Sequence, residues 1–346
     1  MNFFFRVDSS PSIGSGHVHR SLALAEELIA RGHDVAFVMT ECLESHKKTI
    51  RNKGVKLNIN KIDKSFKLSE IETIQMDANL TIRSFDKNPP EWVIIDHYGL
   101  SFEWEKAVKS FPSKIMVIED VPSKNHLCDV LLNQNSEDLA GEYQKLLPKS
   151  TKILLGPKYA LINRNFFLNN KQKIKRKGSF FNKLLIFFTG GDDKGETLKA
   201  LRGIELLNND VDVDVVIGVT NKDYDQLSIL CKQKKWMLHS DIDYMPMLMN
   251  EADLIIGACG SSSWERCLLK KASLVSLMAD NQKIVADTLR RSEAVFYLGE
   301  SNSLASVDYR NGLARITAKS LSEIECNAGK LVDGYGSARV ADLLLS

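Results

Sequence analysis

Residues 1–39 read MNFFFRVDSSPSIGSGHVHRSLALAEELIARGHDVAFVM, and this stretch decides the fold. Asn2–Val7 is a short run rich in Phe and ending in Val, the composition of a strand. Ile13–Arg20, IGSGHVHR, follows with two glycines in a turn that opens a helix. In Ser21–Ala30 the apolar residues Leu22, Leu24, Ala25 and Leu28 fall on one face at helical spacing, and Gly32 caps the C-terminal end. Val35–Met39 is again a strand. Strand, helix and strand in that order form one βαβ unit, the building block of a parallel sheet.

The alternation continues along the chain. Further strands are expected at Val55–Leu57, Trp92–Ile95, Lys114–Ile118, Val130–Leu132 and Ile153–Leu155. A second series is expected at Lys183–Phe188, Val211–Ile217, Trp236–His239, Leu254–Ile256, Leu274–Leu277 and Val295–Leu298. Between the two lies the charge run KQKIKRKG, Lys171–Gly178, read as a solvated connector. The expected organisation is an N-terminal domain over 1–165, a linker over 166–182 and a C-terminal domain over 183–346. The last helix patterns, Ser320–Val332 and Ser337–Leu345, are placed to pack back across the seam. The fold class is therefore α/β, two Rossmann-like doubly wound domains facing an interdomain cleft, with ligands expected at the strand C-termini.

Composition narrows the function. The chain has 346 residues, enough for about two domains, and its 44% hydrophobic and 26% charged content is that of an ordinary globular enzyme. A net charge of +2 argues for neither nucleic acid nor membrane as a partner. The apolar run Phe3–Phe5 is too short for a signal peptide, and no stretch reaches the ~20 apolar residues of a membrane span. The six cysteines form no CxxC pair, which disfavours zinc and suits reduced thiols in a cytoplasmic protein, as small core side chains.

Function must come from the loops. In IGSGHVHR, Gly14 and Gly16 allow close backbone approach to a ligand, and N–H groups at the helix start suit a diphosphate. The spacing is not GxGxxG, and only Glu41 stands near the position of a dinucleotide ribose acid, so a dinucleotide fits poorly. His17 sits at the positive end of that helix, which favours a neutral ring able to accept a proton; the alternative is a packing residue. IIDHYG, Ile94–Gly99, brings Asp96 and Tyr98 to a strand end, where Asp96 can orient an imidazole or cap the helix Phe102–Lys109. TGGDDKG, Thr189–Gly195, carries Gly190 and Gly191 toward a phosphate or simply makes a turn. ACGSSSWERCLL, Ala258–Leu269, offers Ser261 and Ser262 at a helix start, and Glu265 one turn in can accept both hydroxyls of a ribose. Its alternative there is dipole complementarity. DNQ, Asp280–Gln282, presents Asn281 and Gln282 to sugar hydroxyls or acetamido groups.

FRVDSSPSIGSGHVHR, VIIDHYG, CDVLLNQN, LGPKYALI, FTGGDD, ACGSSSWERC and DNQ, in this order, resemble the UDP-2,4-diacetamido-2,4,6-trideoxy-β-L-altropyranose hydrolase family, over nearly the whole chain. The resemblance implies a GT-B architecture, similar to the peptidoglycan N-acetylglucosaminyltransferase, that uses water as acceptor in bacterial pseudaminic acid biosynthesis. It implies that His17 positions or deprotonates the water, that Glu265 holds the uridine ribose, that Asn281 and Gln282 face the sugar, and that Asp243–Met247 lies near the uracil. Departures are Glu119–Asp120 where two aspartates are common, Asp192 in place of a serine, and Asn163–Arg164 in place of Arg-Pro.

The expected chemistry is inverting, metal-independent hydrolysis of a UDP-sugar, with catalytic residues His17 and Asp96 and no cofactor. Substrate contacts are expected from Gly14, Gly16, Arg20, Tyr98, Gly190, Gly191, Ser261, Ser262, Glu265, Asn281 and Gln282. The competing readings are a UDP-sugar-dependent glycosyltransferase and a non-catalytic UDP-sugar-binding module.

Overall fold

The structure is a computed structural model that describes residues 1–10, 13–61, 70–85, 89–111, 113–168, 181–207 and 210–346. The connector Lys171–Gly178 lies outside the described residues. The chain divides into two compact units: one comprises Met1–Asn163 with Tyr335–Ser346, the other Arg164–Gly334.

In the first unit the strands are β1 (Asn2–Val7), β2 (Asp34–Met39), β3 (Lys56–Ile59), β4 (Trp92–Asp96), β5 (Lys114–Ile118), β6 (Val130–Asn133) and β7 (Lys152–Leu155). They form one sheet in the order β3-β2-β1-β4-β5-β6-β7, every neighbouring pair parallel. Alternation along β1 sorts its side chains by face. Phe3, Phe5 and Val7 join one core with Leu24 and Leu28 of the helix Gly16–Ala30. On the opposite face Phe4 meets Phe85 edge-on, and buried Arg6 donates to Asp77 and Asp8. The C-terminal helix Gly336–Leu345 completes the first core with Val340, Ala341 and Leu344, and Trp92 Nε1 donates to the Leu344 carbonyl at 2.8 Å. Gly32, at a φ of +86°, ends the helix that starts at Gly16. A side chain at that φ would be strained.

In the second unit β8 (Lys183–Phe187), β9 (Asp212–Ile217), β10 (Met237–Ser240), β11 (Leu254–Ala258), β12 (Ser273–Leu277) and β13 (Phe296–Glu300) pair in the order β10-β9-β8-β11-β12-β13, again all parallel. Leu184, Ile186, Val213, Val215, Leu254 and Ile256 pack beneath Leu201, Tyr309 and Leu321. Cys128, Cys231, Cys259 and Cys267 are buried as small apolar side chains are, whereas Cys326 is exposed.

Each sheet reverses its strand order at one place, between β1 and β4 in the first unit and between β8 and β11 in the second. Loops leaving the two strands at such a reversal diverge to opposite faces and leave a crevice between them. Four of the five loops singled out in the sequence leave β1, β4, β8 and β11, the strands that flank these two reversals, and the fifth, Asp280–Gln282, leaves the neighbouring β12.

Candidate active site

The first unit builds its site from one helix face and two strand ends. Gly14, at a φ of +82°, turns the chain out of β1 and into the helix Gly16–Ala30. His17, Arg20 and Ser21 stand at helical spacings of three and four, so their side chains share one face. All three reach Asp96, which ends β4 beside Val7 of β1. His17 Nδ1 lies 2.5 Å from Asp96 Oδ1, Arg20 Nε donates to Oδ2 at 2.7 Å, and Ser21 Oγ donates to Oδ2 at 3.2 Å.

Arg20 continues the network. Its Nη1 donates to Asp120 Oδ1 at 2.6 Å, and its Nη2 donates to Asp96 Oδ1 at 2.6 Å and Asp120 Oδ2 at 3.1 Å. Asp120 also accepts from the Tyr98 hydroxyl at 2.6 Å and from Asn135 Nδ2 at 2.8 Å. The Tyr98 ring stands edge-on to the His17 ring, centroids 4.6 Å apart. Asp96 is 1% exposed, Arg20 5% and His17 6%, while Tyr98 is 41% exposed.

Burial alone would raise the Asp96 carboxyl, but Arg20 and His17 outweigh it and hold Asp96 well below the usual carboxylate range. Burial and Arg20 act on Asp120 in the same opposed way, and the net effect again lowers it. An ionised Asp96 can only accept hydrogen bonds, so the hydrogen on the His17 ring belongs on Nδ1. The Nε2 lone pair of a neutral ring is then left over, and no group among the described residues bonds to it. This arrangement can take a proton from a bound water and stabilise the resulting imidazolium.

The geometry gives Arg20 a different place from the one expected. Its donors are committed to two carboxylates inside the wall, so it fixes the acid and base groups and does not reach toward a substrate. Asp96 likewise does not cap the following helix Phe102–Val108, whose N-cap is Ser101. His97, next to Asp96, turns instead to Asp8, with Nε2 3.3 Å from its carboxylate. Asp120 and Asn135 belong to the cluster and were missed. The signal was present in Glu119–Asp120 and Asn133–Asn135, polar residues at the ends of β5 and β6.

In the second unit Gly190 and Gly191 leave β8, and the backbone of Gly190 lies against Gly218 at the end of β9. The Gly191 N–H donates to Thr189 Oγ1 at 3.2 Å, inside its own turn. Ser261 and Ser262 begin the helix Ser262–Leu268 after β11, and neither makes a side-chain cap. Glu265, part-buried on that helix, accepts no side-chain hydrogen bond among the described residues. Burial pushes its carboxyl up to about 7, and Arg266 offsets this only in part. Arg266 is buried and donates to the Ala258 carbonyl at 2.7 Å and Ser263 Oγ at 2.8 Å, tying the loop to the helix. Gln282 Oε1 accepts from the Met278 N–H, and its Nε2 lies beside Gly260. Asn281 is exposed in the same loop. Gly190, Gly191, Ser261, Ser262, Glu265, Asn281 and Gln282 therefore occupy three neighbouring strand ends of this unit, those of β8, β11 and β12. Among the described residues, no group of three or more His, Cys, Asp or Glu is disposed to hold a metal ion, and no helix is long and apolar enough to cross a membrane.

Two parallel-sheet α/β units with sites at their strand reversals define the GT-B class, and solved structures agree. The chain is similar to MurG of Acinetobacter baumannii, with a TM-score of 0.70 at 14% identity over 99% of both chains. It is similar to the spinosyn forosaminyltransferase SpnP, with a TM-score of 0.65 at 13% identity over 100% of both. A UDP-N-acetylglucosamine 2-epimerase gives 0.64 at 11% identity, over 100% of this chain and 96% of that one. No family model matches the chain. Among curated proteins, an uncharacterized protein of Methanocaldococcus jannaschii is 28% identical over 76% of this chain, which spans about half of that relative's length (53%). The UDP-2,4-diacetamido-2,4,6-trideoxy-β-L-altropyranose hydrolase of Campylobacter jejuni is 30% identical over 84% of this chain and 97% of its own. The chain belongs to the UDP-2,4-diacetamido-2,4,6-trideoxy-β-L-altropyranose hydrolase family.

Proposed function

We propose that this chain is a UDP-sugar hydrolase that cleaves UDP-2,4-diacetamido-2,4,6-trideoxy-β-L-altropyranose at the anomeric C–O bond, releasing UDP and the free sugar for pseudaminic acid biosynthesis. The observation that carries the reading is the His17–Asp96 pair, with its ring nitrogen Nε2 left open, in a chain 30% identical to a protein named for that reaction.

Water attacks the anomeric carbon as the bond to the diphosphate oxygen breaks. The water proton passes to His17 Nε2, and Asp96 stabilises the imidazolium through Nδ1–H. A single displacement of this kind inverts the anomeric carbon. The negative charge developing on UDP falls to N–H groups of the loops at Gly190 and at Ser261–Ser262, and Glu265 holds the ribose diol. Asn281 and Gln282 serve the sugar, and the exposed face of Tyr98 serves it from the first unit. The scheme uses no metal ion: an imidazole base and backbone donors account for both charges that develop.

Incubation in ¹⁸O water tests this directly. UDP should appear with no acceptor present, and the label should enter the sugar and not the UDP. His17→Asn should slow release by about 10²–10⁴-fold with little change in UDP affinity. Near-wild-type turnover by that variant, or label found in UDP, overturns the assignment. The glycosyltransferases among the solved structures favour one competing reading, transfer to an acceptor; UDP release only on adding an acceptor would select it.

A further inference from the structure

We propose that Asp120 is a positioning residue for the histidine base, acting through Arg20 and Tyr98 and through its charge; this rests on the hydrolase reading above. Three observations meet at this side chain. It accepts two hydrogen bonds from Arg20, one from the Tyr98 hydroxyl and one from Asn135. Arg20 and Tyr98 are the groups that flank His17: Arg20 orients Asp96 and lies 3.2 Å from the ring nitrogen Nδ1, and Tyr98 packs its edge against the ring. The Asp120 main chain is anchored from behind, because its N–H donates to Glu119 Oε1 at 2.9 Å. Glu119 in turn lies 3.3 Å from His126 Nε2, whose Nδ1 is 2.6 Å from buried Glu105.

The charge count gives the reason for a second carboxylate. The groups facing His17 are Arg20 on its own helix, Asp96 and Tyr98 at the end of β4, and Asp120 after β5. With the ring neutral, Asp96, Asp120 and Arg20 carry one net negative charge in a buried cluster, and protonating the ring cancels it. Arg20 by itself would oppose that protonation at 3.2 Å. If Asp120 were neutral, Asp96 and Arg20 would cancel each other, and an imidazolium would leave one net positive charge buried, which low-dielectric surroundings penalise. Asp120 thus lets Arg20 hold Asp96 without spoiling the basicity of the ring.

Asp120→Asn keeps the shape and removes the charge. We expect kcat to fall about 10–100-fold with KM nearly unchanged, and the acid limb of the kcat pH profile to move to lower pH, as for a weaker base. Asp120→Glu should return the limb toward its wild-type position. A purely structural residue would lower activity without moving the limb, and an unmoved limb with unchanged kcat overturns the proposal. If Asp120→Asn does not fold, Tyr98→Phe carries the test on an exposed side chain. It keeps the ring face and removes only the hydroxyl that donates to Asp120, so it should lower kcat and not raise KM; a raised KM alone would assign that hydroxyl to the sugar and sink its coupling to Asp120. NMR of labelled histidine, with His17→Asn to assign the ring signal, separates the two levels. The His17 signal should titrate at lower pH in Asp120→Asn whatever reaction the enzyme catalyses, whereas UDP release by the wild-type protein only on adding an acceptor defeats the hydrolase reading alone.

Discussion

The two units carry their candidate residues at the same topological position and prepare them in opposite ways. At the β1/β4 reversal the charges answer one another: Arg20 is shared by Asp96 and Asp120, and His17 rests on Asp96. At the β8/β11 reversal they do not. Glu265 has no hydrogen-bonding partner for its carboxylate among the described residues, and Arg266 Nη1 is buried without one. A fully satisfied polar network is rigid and sets a reactive group before substrate arrives. An unsatisfied one is costly until something binds. The first arrangement suits chemistry and the second suits ligand capture, and three substitutions probe that division.

Arg20→Met should have the largest effect. It removes one partner from a buried network and leaves two carboxylates facing each other, a loss of about 3–5 kcal/mol in comparable cases. The pH dependence fixes the cause. Asp96 and Asp120 both sit below their ordinary range when folded, so their contribution is present above about pH 4 and is lost as pH falls through the lower, folded values. The gap in Tm between Arg20→Met and wild type should therefore be widest near neutral pH and narrow on acidification. A gap equally wide at pH 7 and near pH 2 would mean that packing by the arginine stem, and not charge, is what was lost.

Glu265→Gln probes the other side of the comparison, and here stability and binding should move in opposite directions. The folded carboxyl is raised from 4.5 to about 7, so the folded form is favoured below the unfolded value and loses that advantage as pH rises through 7. Above pH 7 an ionised Glu265 is a cost, and the glutamine variant should melt above wild type at pH 8, by about 2–4 °C for each kcal/mol regained, with the difference closing toward pH 4. UDP should bind the variant about 10–100-fold more weakly, the size of one or two charge-assisted hydrogen bonds. Wild-type affinity, taken relative to the variant so that titration of UDP itself cancels, should rise through pH 7. Equal affinities of the two proteins at pH 8 would remove Glu265 from the ribose.

The contrast between the units also marks what the sequence could disclose. All thirteen strands of the described residues were legible: the central ones are continuous apolar runs bounded by turns, because they are buried on both faces, and the part-buried edge strands β3, β10 and β13 were read from shorter runs. The spacing of His17, Arg20 and Ser21 was legible as a helix face, but its target was not: Arg20 meets Asp96 and Asp120 across 76 and 100 residues. Asp120 looked like a strand-end residue among several. Only the sheet order, which sets β5 next to β4, makes it the partner of Arg20. Local pattern specifies elements, and charge pairing among strand ends follows from topology. Glu265 was legible for the complementary reason, since its position one turn into a helix after β11 is a local feature that needs no distant partner.

The smallest of the three effects concerns how the second unit shapes its open site. A β-carbon on Gly218 would lie 2.1 Å from the Gly190 carbonyl oxygen and 2.8 Å from the Gly191 nitrogen. Both are backbone atoms, so Gly218→Ala must move the loop after β8 and cannot be absorbed by a side-chain rotation. The Gly190 loop is only part-buried, which places the cost in the lower part of the overpacking range, about 1–2 kcal/mol. The displaced loop should raise KM for the UDP-sugar and weaken UDP, while the histidine NMR signal of His17 stays at its wild-type position. That pattern follows if the second unit's loops hold the diphosphate and the first unit's network is set independently. A Gly218→Ala variant with lowered kcat, a shifted His17 signal and unaltered UDP affinity would reverse the roles assigned to the two units.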